Sequence, residues 1–296
     1  MALLKEFGKL KIFVTGDKGF IGSSLTKTFQ NKDIIVNEYQ NKRINILEKE
    51  QLQHIEKVDT IIHLAAKTSA TSSMNNPYET YYTNICGTLN ILDFARKRKV
   101  KRIINISTYV YGKPLYLPID ERHPTNPHTP YNKSKIISEN LCEYYSHDYG
   151  INIVTLRPFY IYGPLSNSHS FIPIMIRQIK KNGRVFLSQE NTKRDFLFID
   201  DFKSLILRIL NNFPEGYNVY NVGYGKSIDL EEIIKIIEKI LNREINVHYD
   251  ISIRPNDVLE MVADITRVTN AFDWKPQTDI EKGLRFTLEN FNLFDV

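Results

Sequence analysis

Cysteine is scarce in this chain: Cys86 and Cys142 are the two among 296 residues, far apart and each inside a helical pattern. A disulfide framework is therefore excluded, and reduced, buried thiols of a cytosolic protein are expected. No apolar run is long enough to span a bilayer, and Lys5, Glu6 and Lys9 interrupt any signal-peptide core, so the expected setting is cytoplasmic, with no membrane partner. Neither sign of charge dominates, since 39 basic against 34 acidic residues leave a formal net charge of +5. The densest basic cluster, Arg96 to Lys99, stands where a helix should end, a place that favours positive charge. Nucleic acid is thus not an expected partner, whereas a mild positive balance suits an anionic small substrate. The seven histidines show no paired ligand spacing on a helix, and His123 and His128 sit in a proline-rich loop, so no metal site is expected. Repeats, low-complexity tracts and long linkers are absent as well.

What is present begins at the first apolar run. Lys9 to Val14 reads as a buried strand, and Gly16, Gly19 and Gly22 follow at three-residue spacing. Ile21, Leu25 and Phe29 then recur every four residues, one face of a helix. Strand, glycine turn and helix bring backbone N–H groups and a helix N-terminus together, an arrangement that attracts a diphosphate. Gly16 would allow the tight turn, Gly19 the close approach of phosphates, and Gly22 close packing of helix on sheet. A dinucleotide site is the expectation.

The rest of the chain alternates strands and helices. Asp33 to Glu38 reads as a second strand, and an acidic residue at its end typically takes the adenosine ribose of NAD. Glu38 is that candidate, with Asn37 beside it. Lys42 and Arg43 follow and could instead hold the 2′-phosphate of NADP, so NAD is expected with NADP possible. Val58 to Ala66 is a third strand ending in the small side chains Ala65 and Ala66, where a cofactor can lie close; His63 within it reads as a satisfied core histidine. After a polar loop from Lys67 to Asn76, Pro77 opens a helix whose apolar face runs Tyr81, Ile85, Thr88, Leu92 and Ala95. Arg102 to Thr108 is a fourth strand ending in two hydroxyls, and a loop with five prolines leads to the helix of Tyr131 and Lys135. Ile151 to Leu156 is a further strand. These elements imply a doubly wound parallel sheet covered on both faces, with ligands at the carboxyl ends of the strands. The expected dinucleotide-binding domain takes residues 1–160 and 194–223. A smaller, interwoven substrate domain takes 161–193 and 224–296.

Tyr131 and Lys135, four apart at a helix start, share one face. A tyrosine hydroxyl titrates near about 10 in water, too high for a base at neutral pH, but a nearby ammonium and a positive nicotinamide would lower it. With a hydroxyl from the adjacent strand end, the parts make an alcohol–ketone redox site.

At this point the chain resembles a known family. The motifs that carry the likeness in the first half are Thr15-Gly16 to Gly22, His63-Leu64-Ala65-Ala66, Asn84 to Thr88, Val110-Tyr111-Gly112 and Tyr131 to Lys135. Leu156-Arg157-Pro158, Tyr162-Gly163-Pro164, Arg194-Asp195-Phe196, Asn221-Val222-Gly223, Arg254 to Asp257 and Trp274-Lys275-Pro276 extend it over nearly the whole chain. Together they are similar to the extended short-chain dehydrogenase/reductases, and within them to the NAD-dependent epimerases and dehydratases of nucleotide-activated sugars. The resemblance implies a Rossmann sheet, catalytic Tyr131 and Lys135, and a third hydroxyl from Thr108 or Ser107. Thr108 is preferred by counting forward from the strand, Ser107 by counting back from Val110. It implies cofactor contacts at Gly16, Gly19, Phe20, Ile21, Gly22, Glu38, Asn45, Ile46, Leu64, Ala65, Ala66 and Asn84, besides Tyr131 and Lys135. It further implies that Arg194 and Arg254 hold a diphosphate, that Asp257 lies near a ribose, and that helices around 80–97 and 132–147 pair two copies into a homodimer.

Departures from the pattern narrow the reaction. Dehydratases of this group carry an acid pair after the threonine and decarboxylases a glutamate; here Tyr109 follows. Tyr160 stands where an asparagine commonly meets the sugar nucleotide's phosphate, and Met261 falls near a position that bounds the sugar. The expected partner is a nucleotide-diphosphate sugar and the expected reaction 4-epimerisation, with reduction of a 4-keto sugar as the alternative.

Overall fold

In the computed structural model, residues 10–29, 34–36, 38–39, 42–166, 170–250, 252 and 258–291 are described. The chain divides into two compact units. One comprises Met1–Gly112, Thr125–Pro158 and Leu205–Tyr220; the other comprises Lys113–Pro124, Phe159–Ser204 and Asn221–Val296. Residues 113–124, 159–160, 194–204 and 221–223, expected in the first unit, thus group with the second. Pairing explains the first of these shifts: Ile119 bridges Ala263, and Glu121 accepts the Asn221 N–H at 2.7 Å.

The first unit is built on a sheet of β1 (Ile12–Thr15), β2 (Ile34–Val36), β3 (Thr60–His63), β4 (Arg102–Ile106), β5 (Asn152–Pro158) and β6 (Tyr217–Val222, of which residues 217–220 belong to this unit), in the order β6-β5-β4-β3-β1-β2. Pairings from β2 through β5 are parallel. Every residue of β1 and β3 is buried, the continuous apolar run that a sheet covered on both faces requires. From β1 the chain runs outward to β2 and then returns to the other side of β1 as β3. A ligand crevice is expected at that reversal, beyond the carboxyl ends of β1 and β3. Register places Thr15, His63, Asn105 and Thr155 in one transverse row just before those ends. All four are buried, so the sheet carries a polar row in its apolar interior.

Three helices matter to the site. Helix α1 (Phe20–Thr28) follows the glycine turn. Helix α2 (Gly87–Arg98) is entered through a π-helical turn, Tyr82–Cys86, and Lys99 closes it in the left-handed region. Helix α3 (Pro130–Tyr149) starts with proline at its first position, and Thr129 accepts from the Asn132 N–H at 3.2 Å; Gly150 ends it at φ +62°. Where a polar loop was expected, Ala70–Asn75 is a short helix, because the Ser69 hydroxyl caps the Ser72 N–H at 3.1 Å.

In the second unit, Lys193–Arg194 pairs with Ile228–Asp229 and Glu260–Met261, while Phe196–Phe198 pairs with Tyr160–Tyr162. A single strand through 194–199 is interrupted at Asp195. Its buried carboxylate accepts the N–H groups of Tyr224, Gly225 and Ala263 at 2.6, 3.0 and 3.0 Å, and burial raises it to about 6.

Candidate active site

The glycine turn is forced by its neighbours. Gly16 has φ +70°, and a Cβ there would lie 2.8 Å from the Ala65 N. A Cβ on Gly22 would lie 2.2 Å from the Gly16 carbonyl oxygen, so helix α1 approaches the turn too closely for any side chain. Gly19 differs: its Cβ would meet only the Gly16 oxygen, at 3.2 Å, and the residue is exposed. Gly19 caps α1 with no side-chain bond, so the first turn, Phe20, Ile21 and Gly22, has no side chain of its own over its N–H groups. An uncapped helix start beside a bare glycine fits an anionic diphosphate. Across the crevice, Thr15 Oγ1 accepts from the Leu64 and Ala65 N–H groups at 3.1 Å each, tying the end of β3 to β1; Leu64, Ala65 and Ala66 are half-buried there.

Other expected cofactor contacts fall on the rim. Ile46 is buried, and its carbonyl accepts from Asn90 Nδ2 at 2.9 Å; Asn45 is exposed and its Oδ1 accepts the Leu47 N–H at 3.1 Å. Glu38 pairs with Arg43, and Tyr39 with Lys42, in a two-stranded antiparallel ladder after β2. Asn37 lies outside the described residues. Asn84 sits in the π-helical turn, 2% exposed, with its amide spent inside the chain: Oδ1 accepts the Lys67 N–H at 2.8 Å, and Nδ2 donates to the Lys67 carbonyl and to Ser134 Oγ at 3.1 and 2.8 Å. Its side chain therefore braces the loop after β3 against α3.

Tyr131 and Lys135 lie on the first two turns of α3, with the Tyr131 N–H donating to Ser73 Oγ at 3.2 Å. Of the two candidate hydroxyls, that of Thr108 lies beside the Tyr131 phenol, where it favours the ionised form. Ser107 instead gives its hydroxyl to the Glu139 carboxylate, and its N–H donates to Leu156 at 2.8 Å. Thr108 is thus set beside Tyr131, with Lys135 four residues further along the same helix, and Ser107 lies in the packing beneath. Burial pushes the Tyr131 phenol above its ordinary value, opposed by the Thr108 hydroxyl. In the chain alone desolvation outweighs the hydroxyl's effect; the lowering expected from the sequence belongs to the cofactor-bound site, where the positive nicotinamide acts as well. Burial also pulls the Lys135 ammonium down to about 8.

His63 is the satisfied core histidine expected from the sequence. It lies 2.8 Å through Nδ1 from Thr15 Oγ1 and 3.1 Å through Nε2 from Thr88 Oγ1, and burial with the Lys135 charge lowers it to about 3.

In the second unit, Arg194 is 2% exposed; its Nη1 donates to the carbonyls of Lys193 and Leu259 at 2.8 and 3.4 Å. Its guanidinium lies 5.9 Å from the centre of the Tyr160 ring, whose hydroxyl contacts Met261 Sδ at 3.7 Å. The structure brings these three together, with Met261 buried. Arg254 and Asp257 lie outside the described residues.

Sequence reasoning assigned no role to Asn90, Ser73, Ser134, Glu139 or Arg157. Helical spacing does carry one signal, since Glu139 follows Tyr131 and Lys135 at four-residue steps along the same face.

Comparison with known proteins places this geometry. A protein of Methanocaldococcus jannaschii provisionally named UDP-glucose 4-epimerase is 31% identical, over 93% of this chain and 96% of its own. Among solved structures, the UDP-glucose 4-epimerase of Thermotoga maritima with UDP-glucose matches at 26% identity and a TM-score of 0.86, covering 95% of this chain and 98% of that one. RMD from Pseudomonas aeruginosa, complexed with NADPH, matches at 29% identity and 0.88, covering 97% and 99%. The curated relatives also include UDP-glucuronic acid decarboxylases of Arabidopsis thaliana. The model of the NAD dependent epimerase/dehydratase family matches residues 12–223, and the chain belongs to that family.

Proposed function

We propose that this chain is a nucleotide-sugar 4-epimerase that works by transient oxidation at C4 with bound NAD. The observation that carries the reading is the placement of the Thr108 hydroxyl beside the Tyr131 phenol, whose ionised form it favours, with Lys135 buried one turn further along the same helix. In this role Tyr131 removes the proton from the C4 hydroxyl and later returns it. Thr108 favours the phenolate, and the Lys135 ammonium adds an opposite charge nearby. The bare Gly19 and the uncapped start of α1 fit the dinucleotide's diphosphate, and the close approach of Gly16 to Ala65 leaves the end of β3 flat beside it. When bound, NAD supplies first the acceptor and then the donor of the C4 hydride, so no net redox change results. Arg194, Tyr160, Arg254 and Asp257 are the residues proposed to hold the sugar nucleotide; arginine's fork suits a diphosphate.

Tyr109 bears on the competing reactions. It follows Thr108 where dehydratases and decarboxylases need a carboxylate, and its hydroxyl donates to the Gly112 carbonyl at 2.5 Å. That favours epimerisation over elimination or decarboxylation. A second reading, an NAD(P)H-dependent 4-keto-sugar reductase with the same trio, is favoured by Lys42 and Arg43, residue types that suit a 2′-phosphate, and by the NADPH bound to RMD. Anaerobic incubation with a panel of nucleotide sugars separates the two. An epimer formed without added cofactor, followed by NMR, supports the first reading. Turnover that depends on a 4-keto sugar and added NAD(P)H supports the second, and inertness toward the whole panel overturns both.

We further propose a homodimer formed through the helices around 80–97 and 132–147, which present the exposed aromatic side chains Tyr82 and Tyr144, and a cytoplasmic setting, to which two unpaired cysteines are suited.

A further inference from the structure

An ion pair lies buried beneath the Thr108–Tyr131–Lys135 constellation. Glu139 and Arg157 are 3% and 8% exposed. Arg157 Nε donates to both carboxylate oxygens at 3.1 Å, and Nη2 donates at 2.6 Å. The remaining Nη1 donates to the hydroxyl of buried Tyr111 at 2.9 Å, with the guanidinium 5.2 Å from that ring's centre. Ser107 gives its hydroxyl to the same carboxylate. Replacing such a pair by apolar side chains is often neutral or stabilising, so stability alone is a poor account of its presence.

Its placement is more informative. Glu139 stands one turn beyond Lys135 and two beyond Tyr131 on α3. Ser107 immediately precedes Thr108, and Arg157 lies near the end of β5. One carboxylate therefore joins the strand end that carries Thr108, the helix that carries Tyr131 and Lys135, and the neighbouring strand. The charged and titratable groups around it are Lys135, Cys142, Arg157, Tyr111 and Tyr217, with His63 facing Lys135 from β3. Against the burial that pulls Lys135 down, Cys142 and Glu139 act to raise it. Burial also pushes the Cys142 thiol up to about 12, so it is uncharged at neutral pH; His63 is neutral there too. Glu139 is left as the negative neighbour.

We propose that Glu139, held by Arg157, is a positioning residue for the proton-transfer site. Through Ser107 it fixes Thr108 against the helix face of Tyr131, and it is the counter-charge of the buried Lys135 ammonium. The inference rests on the reading of Tyr131 and Lys135 as the proton-transfer pair.

Glu139→Gln keeps the shape and removes the charge. In the full chain labelled with ¹³Cε-lysine, the Lys135 titration midpoint, read by NMR without substrate, is expected to fall by about one pH unit or more. In the same variant kcat should drop about tenfold to a hundredfold while KM stays within about twofold, the mark of a displaced reacting group rather than lost binding. Glu139→Gln with Arg157→Met removes both charges and keeps the test alive if the single variant does not fold; it should fold and show the same loss of kcat. A Lys135 midpoint that stays in place, or folded variants with kcat within about twofold of the parent, overturns the proposal. A parent chain inert toward every nucleotide sugar overturns the reading of the site, and the lysine titration still decides the Glu139–Lys135 coupling.

Discussion

Thr15 Oγ1 lies 2.8 Å from His63 Nδ1, and the bond runs from threonine to histidine. The threonine oxygen already accepts two backbone N–H groups, so its own proton is left to donate. His63 Nδ1 is then the acceptor, and Nε2 carries the proton toward Thr88 Oγ1. Thr88 donates in turn to the Asn84 carbonyl at 2.6 Å, and Ser134, which Asn84 holds, donates to the Tyr131 carbonyl at 2.7 Å. The glycine turn and the tyrosine helix are joined by one directed string of hydrogen bonds.

That string predicts a neutral His63 with the proton on Nε2 at every working pH. Its folded value, about 3, lies below the ordinary imidazole value of 6.5. Between those limits the unfolded chain binds the extra proton, so the stability contribution is complete above 6.5 and is lost as pH falls toward 3. Urea unfolding should weaken by about 1.4 kcal/mol for each pH unit below 6.5 on account of this one group. His63→Asn should flatten that dependence. A ¹⁵N imidazole spectrum that titrates near 6.5 would sink the assignment.

Lys135 predicts a trade of stability against turnover. Its folded value of about 8 is depressed from 10.5, so at pH 7 folding strains against a buried ammonium, and the strain eases as pH rises from 8 toward 10.5. Lys135→Met should raise unfolding stability at pH 7 by about 1–3 kcal/mol while abolishing turnover. Thr108→Val should lower kcat by about a hundredfold or more. A Lys135→Met chain no more stable than the parent would count against a buried charge there.

How much of this was legible in the sequence depends on the range over which each signal acts. The glycine turn, the parallel strands and the Tyr131–Lys135 pair stood out because period and spacing along the chain encode them. The order of the two hydroxyls did not. Ser107 and Thr108 are adjacent and chemically alike, and the choice depends on Glu139, 32 residues from Ser107, claiming one of them. The depressed ammonium and the raised phenol were likewise hidden, because desolvation depends on what the fold lays over a residue. The grouping of 113–124 with the second unit follows from a bridge to Ala263, a contact that no local pattern announces.

The three glycines should separate on substitution. Gly22→Ala forces a Cβ to 2.2 Å from the Gly16 carbonyl oxygen, and Gly16→Ala adds an unfavourable φ of +70° to a backbone clash. Each should cost about 2 kcal/mol or more of stability. Gly19→Ala meets only one atom, at 3.2 Å, and should leave unfolding within about 1 kcal/mol. Its methyl would project where the diphosphate is proposed to lie, so dinucleotide affinity, measured by calorimetry, should fall about tenfold or more. Equal losses of stability at Gly19 and Gly22 would contradict this division.

The exposed face of the first unit predicts the oligomeric state. Tyr78 and Tyr82 are 77% and 46% exposed, with rings stacked at 6.0 Å and 4° between planes. Met74, Ile137 and Tyr144 are 61%, 40% and 58% exposed on the adjoining helices. A soluble chain rarely leaves so many large apolar side chains on neighbouring elements without a partner, and a second copy of the same surface can satisfy them by two-fold symmetry. At micromolar concentration the chain should sediment as a dimer. Tyr78→Glu with Tyr144→Glu places like charges on that surface in both copies and should give a folded monomer with unchanged circular dichroism. A parent chain that sediments as a monomer leaves the aromatic face without this role.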